Sequence, residues 1–232
     1  MAARILELID KSDNFELVRD EIAAILTLES ENQQTLAAAA SEEARLWKLR
    51  VFAERSTPWS EWESAPEQAD QSPIVNVWFD NATIQLGASD IVERQRLEGI
   101  FNIDCYGYGV SEETEGEYEG ELWHMPGDER AAREVQRAAR LVRNIIQAAA
   151  YTYLNMRGVV ARRYVQSINA FQPAIGDKPV QRIQAVRLAL HVEFNEFSPQ
   201  VEGQLLELIS VTVKRKETGQ LYFAAEYGDE DS

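Results

Sequence analysis

Apolar residues recur along this chain in two rhythms. From Phe15 the spacing is helical: Phe15, Val18, Ile22, Ile25 and Leu26 return every three or four residues, behind Asp13 and Glu16 set as a capping box. Residues 36–40 extend that pattern. After Ala40 the period drops to two, with Trp47, Leu49, Val51 and Ala53 alternating with Lys48, Arg50, Phe52 and Glu54 as in a half-buried strand. Residues 74–79 and 101–108 predict two further strands. In the second, Phe101, Ile103 and Cys105 share one face and Asn102, Asp104 and Tyr106 the other.

A long helix is predicted over 128–156. Val135, Ala138, Val142, Ile145, Ala149 and Tyr153 fall on one face, and Arg130, Arg133, Arg137, Arg140 and Arg143 fall opposite. Asp128 and Glu129 suit its positive N-terminal end, and Gly158 suits a stop. Residues 159–171 alternate in part. Val186, Leu188, Leu190, Val192 and Phe194 alternate strictly, and residues 205–213 do so again. A turn at 217–220 leads into a last short strand, 221–224. The expected class is α+β: a mainly antiparallel twisted sheet packed on one long helix, with an N-terminal helical extension. The organisation expected is a helical segment 1–45, a core 46–226 with exposed loops at 56–73 and 111–127, and a frayed acidic tail 227–232.

The 232 residues suffice for a sizeable core. Twenty-three basic against 39 acidic residues give a net charge of −16. That balance argues against a general nucleic-acid binder, which needs clustered cations, and against an anionic membrane surface. Cys105 is the single cysteine, so no intramolecular disulfide forms. Arg4, Glu7 and Asp10 interrupt the first ten residues, unlike a signal peptide, and no run approaches the ~20 apolar residues of a membrane span. A cytoplasmic protein is expected.

Chemistry is scarce. The segment 111–127 carries Glu112, Glu113, Glu115, Glu117, Glu119 and Glu121 among glycines, which predicts a solvated loop; its order does not match a calcium loop. Cys105, His124 and His191 are too few and too separated for a closed zinc site, and no nucleophile–base pair or phosphate-binding motif is present. No catalytic residue, cofactor or metal is therefore expected. The alternative from another class is a metal-dependent nuclease or hydrolase using Asp80, Asp104 or Glu193. The arginine row suits an interface between subunits, where guanidinium groups meet carboxylates of a neighbour. A solvated face and a nucleic-acid contact are the other readings. Trp59 and Trp62, in a polar loop, need a surface to lie on, in their own domain or on a neighbour.

In order, the helix, strands, acidic loop, long central helix and terminal sheet resemble neck and tail-completion proteins of contractile-tailed bacteriophages, most of all the tail-terminator or gateway proteins. The segments carrying the resemblance are FELVRDEIAAILTLE (15–29), LWKLRVFAERSTPW (46–59), REVQRAARLVRNIIQAAAYTYL (133–154) and AVRLALHVEFNEFSPQ (185–200). The resemblance implies a non-enzymatic structural subunit of a closed ring in the virion neck, assembled in the host bacterial cytoplasm. It implies a hexamer, with a dodecamer as alternative, that caps the tail beside connector, tube and sheath proteins. DNA would transit its lumen without specific binding. A portal-proximal connector, adaptor or collar ring is the nearest alternative. The expected subunit contacts are Arg130, Arg133, Arg137, Arg140 and Arg143 with Trp59 and Trp62; the expected lumen or inter-ring loop is Glu113, Glu115, Glu117, Glu119 and Glu121.

Overall fold

The computed structural model describes residues 8, 11–64, 69–85, 94–115, 122–175, 178–179, 182–197, 209–214 and 221–227. The chain divides into two compact units, 10–198 and a second made of 1–9 with 199–232. The division differs from the sequence-based one at both ends. The N-terminal helix buries its apolar face in the same core as the sheet, so it belongs to the main unit, whereas residues beyond 198 do not.

Helix α1 spans Asn14–Ala39, and the Asp13 carboxylate accepts from the Phe15 amide at 3.2 Å as its N-cap. Buried Ser30 ties this helix to the next segment: its hydroxyl donates to the Trp47 carbonyl (3.0 Å) and accepts from the Leu49 amide (2.9 Å). The chain turns through a 3-10 segment, Ala44–Trp47, into strand β1, Arg50–Ala53. Strand β1 is therefore shorter than the alternation predicts, because Trp47 ends that turn and Lys48 and Leu49 lead out of it before the ladder begins. A short helix α2, Ser60–Ser64, precedes the long strands β2, Ile74–Gln85, and β3, Arg94–Tyr108. A hairpin of β4, Glu112–Glu115, and β5, Leu122–Met125, leads into helix α3, Gly127–Gln147. Then come β6, Val160–Phe171, the two-residue strands β7, Ala174–Ile175, and β8, Lys178–Pro179, and β9, Ile183–Phe197.

The main sheet runs β1-β2-β3-β9-β6, with β1 parallel to β2 and every other pair antiparallel. The fold is thus α+β, with a mostly antiparallel five-stranded sheet. Val75, Val77, Phe101, Ile103, Cys105, Leu188 and Leu190 point to one face, where Val18, Ile22 and Leu26 of α1 and Val135, Val142 and Ile146 of α3 close the core. Strand β6 alternates only in part because bulges between Val160 and Arg162 and between Val165 and Ser167 each reset its facing. In the other unit, β10, Ile209–Lys214, and β11, Leu221–Tyr227, pair antiparallel; the predicted turn at 217–220 and the tail 228–232 lie outside the described residues.

Helix α3 ends at Gln147, nine residues before the predicted end. Ala148 turns to extended ψ and a 3-10 turn, Ala149–Tyr151, follows. Arg163 of β6 donates through Nε to the Tyr151 carbonyl (2.5 Å) and through Nη2 to the Ala148 carbonyl (2.8 Å), satisfying acceptors that the helix end exposes. Tyr151 and Leu154 become the buried anchors, while Tyr153, placed on the core face by periodicity, is 41% exposed.

Candidate assembly surface

The outward face of α3 carries the arginine row. Arg133 bonds Glu129 at 2.6 Å and Arg137 bonds Glu134 at 3.3 Å, both pairs exposed and within the helix. Arg130 is also engaged. Arg140, exposed, and Arg143, half-buried, carry no ion pair among the described residues. Periodicity therefore locates the row, and the tertiary structure divides it into members with and without an ion pair among the described residues. The helix is brought close to the sheet by Gly107: a Cβ there would stand 2.5 Å from the Ala131 carbonyl oxygen and 2.8 Å from the Val135 nitrogen.

Beside this face runs an open groove of about 420 Å³, with Leu46, Trp47 and Pro73 on one side and Arg137, Arg140 and Leu141 on the other. Leu46 is 52% exposed, an apolar side chain left at the surface. A second depression of about 310 Å³ continues from it past Arg45, Lys48 and Arg130, sharing Leu46, Pro73 and Glu134. The sequence predicts this segment as strand, so the groove is invisible until the 3-10 turn is seen to swing Leu46 and Trp47 beside α3.

Trp59 and Trp62 are packed within the chain itself. Both are buried with Ile74, Tyr106, Tyr108 and Ile183 on the second face of the sheet; Trp62 donates to the Asp70 carbonyl at 2.8 Å, and Trp59 lies 4.7 Å from the Tyr106 ring. Of the two surfaces the sequence leaves open to them, the one observed is their own domain, and little indole surface is left exposed. Next to them a cleft of about 430 Å³ opens between Glu54, Arg55, Trp78, Asp104, Phe171 and Arg187. Asp104, 2% exposed, accepts from Trp78 Nε1 (2.9 Å), the Tyr106 hydroxyl (3.3 Å) and two nitrogens of Arg187. Burial first, and then the Asp104 charge, hold the Tyr106 hydroxyl well above its ordinary range.

The three carboxylates of the hydrolase alternative do not converge. Asp104 is saturated by donors, Asp80 is exposed, and Glu193 pairs with Arg162 at 2.5 Å. Along β9, Glu193 stands six positions from the Arg187 that faces Asp104, about 20 Å at ~3.3 Å per residue. Among the described residues no three His, Cys, Asp or Glu side chains meet as they would around a metal ion. Cys105 faces the helices, and burial raises its thiol far above the ordinary range. His191 is buried on the other face, stacked on Tyr164 with ring centres 4.6 Å apart, and His124 is exposed in β5.

Of the acidic loop, Glu113 is exposed on β4 and Glu115 ends that strand, while Glu117, Glu119 and Glu121 lie outside the described residues. No helix among the described residues is long and apolar enough to cross a membrane. The sequence matches no known protein family, and no curated protein matches it.

Proposed function

We propose that this chain is a structural subunit of a closed homo-oligomeric ring at the phage head–tail junction, a tail-terminator or gateway subunit that caps the tail and lets DNA pass through its lumen. The observation that carries this reading is a basic, partly apolar surface on a strongly acidic chain. Helix α3 presents Arg137, held only by Glu134, and Arg140, which has no ion pair among the described residues, beside an apolar groove on a chain whose net charge is −16. A ring closes through heterologous contacts, in which one patch of a subunit meets a different patch of the next. A basic acceptor on an acidic chain supplies that asymmetry. The acidic excess also suits a conduit, since it repels the DNA passing through. The resemblance of the four segments named above points to the same class.

The native particle's mass, measured by light scattering, together with negative-stain class averages tests this reading. A ring with a central hole is the expected result, and its copy number separates a hexameric terminator from a dodecameric adaptor. A monomer at every concentration, alone and mixed with tail-tube protein, overturns it.

A further inference from the structure

We propose that the groove between α3 and residues 46–49 is an acceptor site for the acidic segment 111–127 of a second copy of this chain. The inference rests on the ring reading and assigns its two complementary patches.

The acceptor's chemistry sets what it takes. Its walls are apolar, through Leu46, Trp47 and Leu141, and its rim carries Arg137 and Arg140. Arg140 has no ionic partner among the described residues, and Arg137 holds Glu134 only in a surface pair three residues away. Such exposed pairs are weak and exchange readily for a better carboxylate. The depression that continues the groove is lined by Arg45 and Lys48, which hold Glu43 and Asp70, and by Arg130, itself engaged. The fitting occupant is an extended segment rich in carboxylates that also carries an apolar anchor.

The chain contains one such segment within its main unit. Residues 111–127 hold six glutamates and no lysine or arginine, with Tyr118, Leu122 and Trp123 among them. The part that is described forms the β4–β5 hairpin, a two-stranded sheet with no ladder to the five-stranded one. A hairpin of that kind is marginal by itself in water and gains from lying on another surface. A heterologous contact places donor and acceptor on different copies, so the donor is a neighbour's hairpin. Carboxylates entering among guanidinium groups beside an apolar wall combine charge attraction with apolar burial.

The test uses two single-site variants of the full chain, co-expressed with different tags: Arg140→Cys and Glu119→Cys. Cys105 is buried and does not compete. Mild oxidation should yield a cross-linked heterodimer well above the yield from Arg140→Cys with Glu31→Cys, an exposed control on α1. In parallel, Arg137→Glu with Arg140→Glu should weaken association about tenfold or more, and adding Glu117→Arg with Glu119→Arg should restore it to within about threefold. Cross-linking at the control level, or no restoration, overturns the inference; if the wild-type chain still forms a ring, the ring reading stands. A disulfide formed only inside a chain bearing both cysteines also overturns it, since the donor would then be the chain's own hairpin. A wild-type monomer by mass removes the ring reading, and the inference with it.

Discussion

Arg187 is held between the rings of Trp78 and Phe171, its guanidinium carbon 4.8 and 5.0 Å from their centres, while Nε and Nη2 meet the two oxygens of Asp104 at 2.7 and 2.8 Å. The pair joins β3 to β9 on the face of the sheet opposite α1 and α3. Bidentate geometry makes such a pair strong, and burial makes it unforgiving of losing one member. Arg187→Ala strands a carboxylate that is almost wholly buried, and a loss of about 3 kcal/mol is expected in urea denaturation at neutral pH. An unchanged midpoint would show that Asp104 finds other partners.

Arg163 should act as a remote helix cap. Arg163→Met keeps the aliphatic stem but removes both donors to the Ala148 and Tyr151 carbonyls, at a cost of about 1–2 kcal/mol. Hydrogen exchange should speed selectively for amides of residues 148–154, with those at the start of α3 unaffected. A uniform change along α3 would refute a local role.

Gly107 sets how closely α3 lies on the sheet. In Gly107→Ala the new methyl meets helix backbone, so the helix has to move outward, and a loss of about 1–3 kcal/mol follows. The displacement also shifts Arg137 and Arg140 relative to Leu46. Thermal denaturation together with native mass would register both effects, and an alanine variant as stable as wild type would argue against close packing at this point.

Acid should weaken the link between the β1 approach and the α2 loop. Burial pushes the Asp70 carboxyl up, but the Lys48 ammonium at 2.6 Å and the Ser72 hydrogen bonds outweigh it and hold the group at about 2. Because the folded value lies below the ordinary one, this contribution is complete above about pH 5 and is lost as pH falls toward 2. Asp70→Asn should therefore be less stable than wild type near neutrality by well under 1 kcal/mol, both partners being partly solvated, and the gap should close in acid. A gap that persists at pH 2 would assign the effect to packing.

The periodic elements were legible from the sequence. The capped helix from Asn14, the alternation through Val186–Phe194 and the arginine row of α3 are each set by which residues a local geometry brings to one side. The charge balance needs no structure at all. Relationships between distant segments are of another kind. The turn that follows α3 is bonded by an arginine that arrives sixteen residues after the helix terminates, while local periodicity runs on past that end. Trp59 and Trp62 are placed by aromatic partners on β3, and the sheet's second face is buried there because Tyr106 and Tyr108 offer them a surface. Nor does the spacing of Leu46 and Trp47 reveal that a 3-10 turn lays them beside Arg137 and Arg140 to form a groove. Local backbone preference and side-chain period are properties of a few neighbouring residues and are written in their order. Grooves, buried ion pairs and helix ends arise where segments meet across the core, and only the folded chain decides which segments those are.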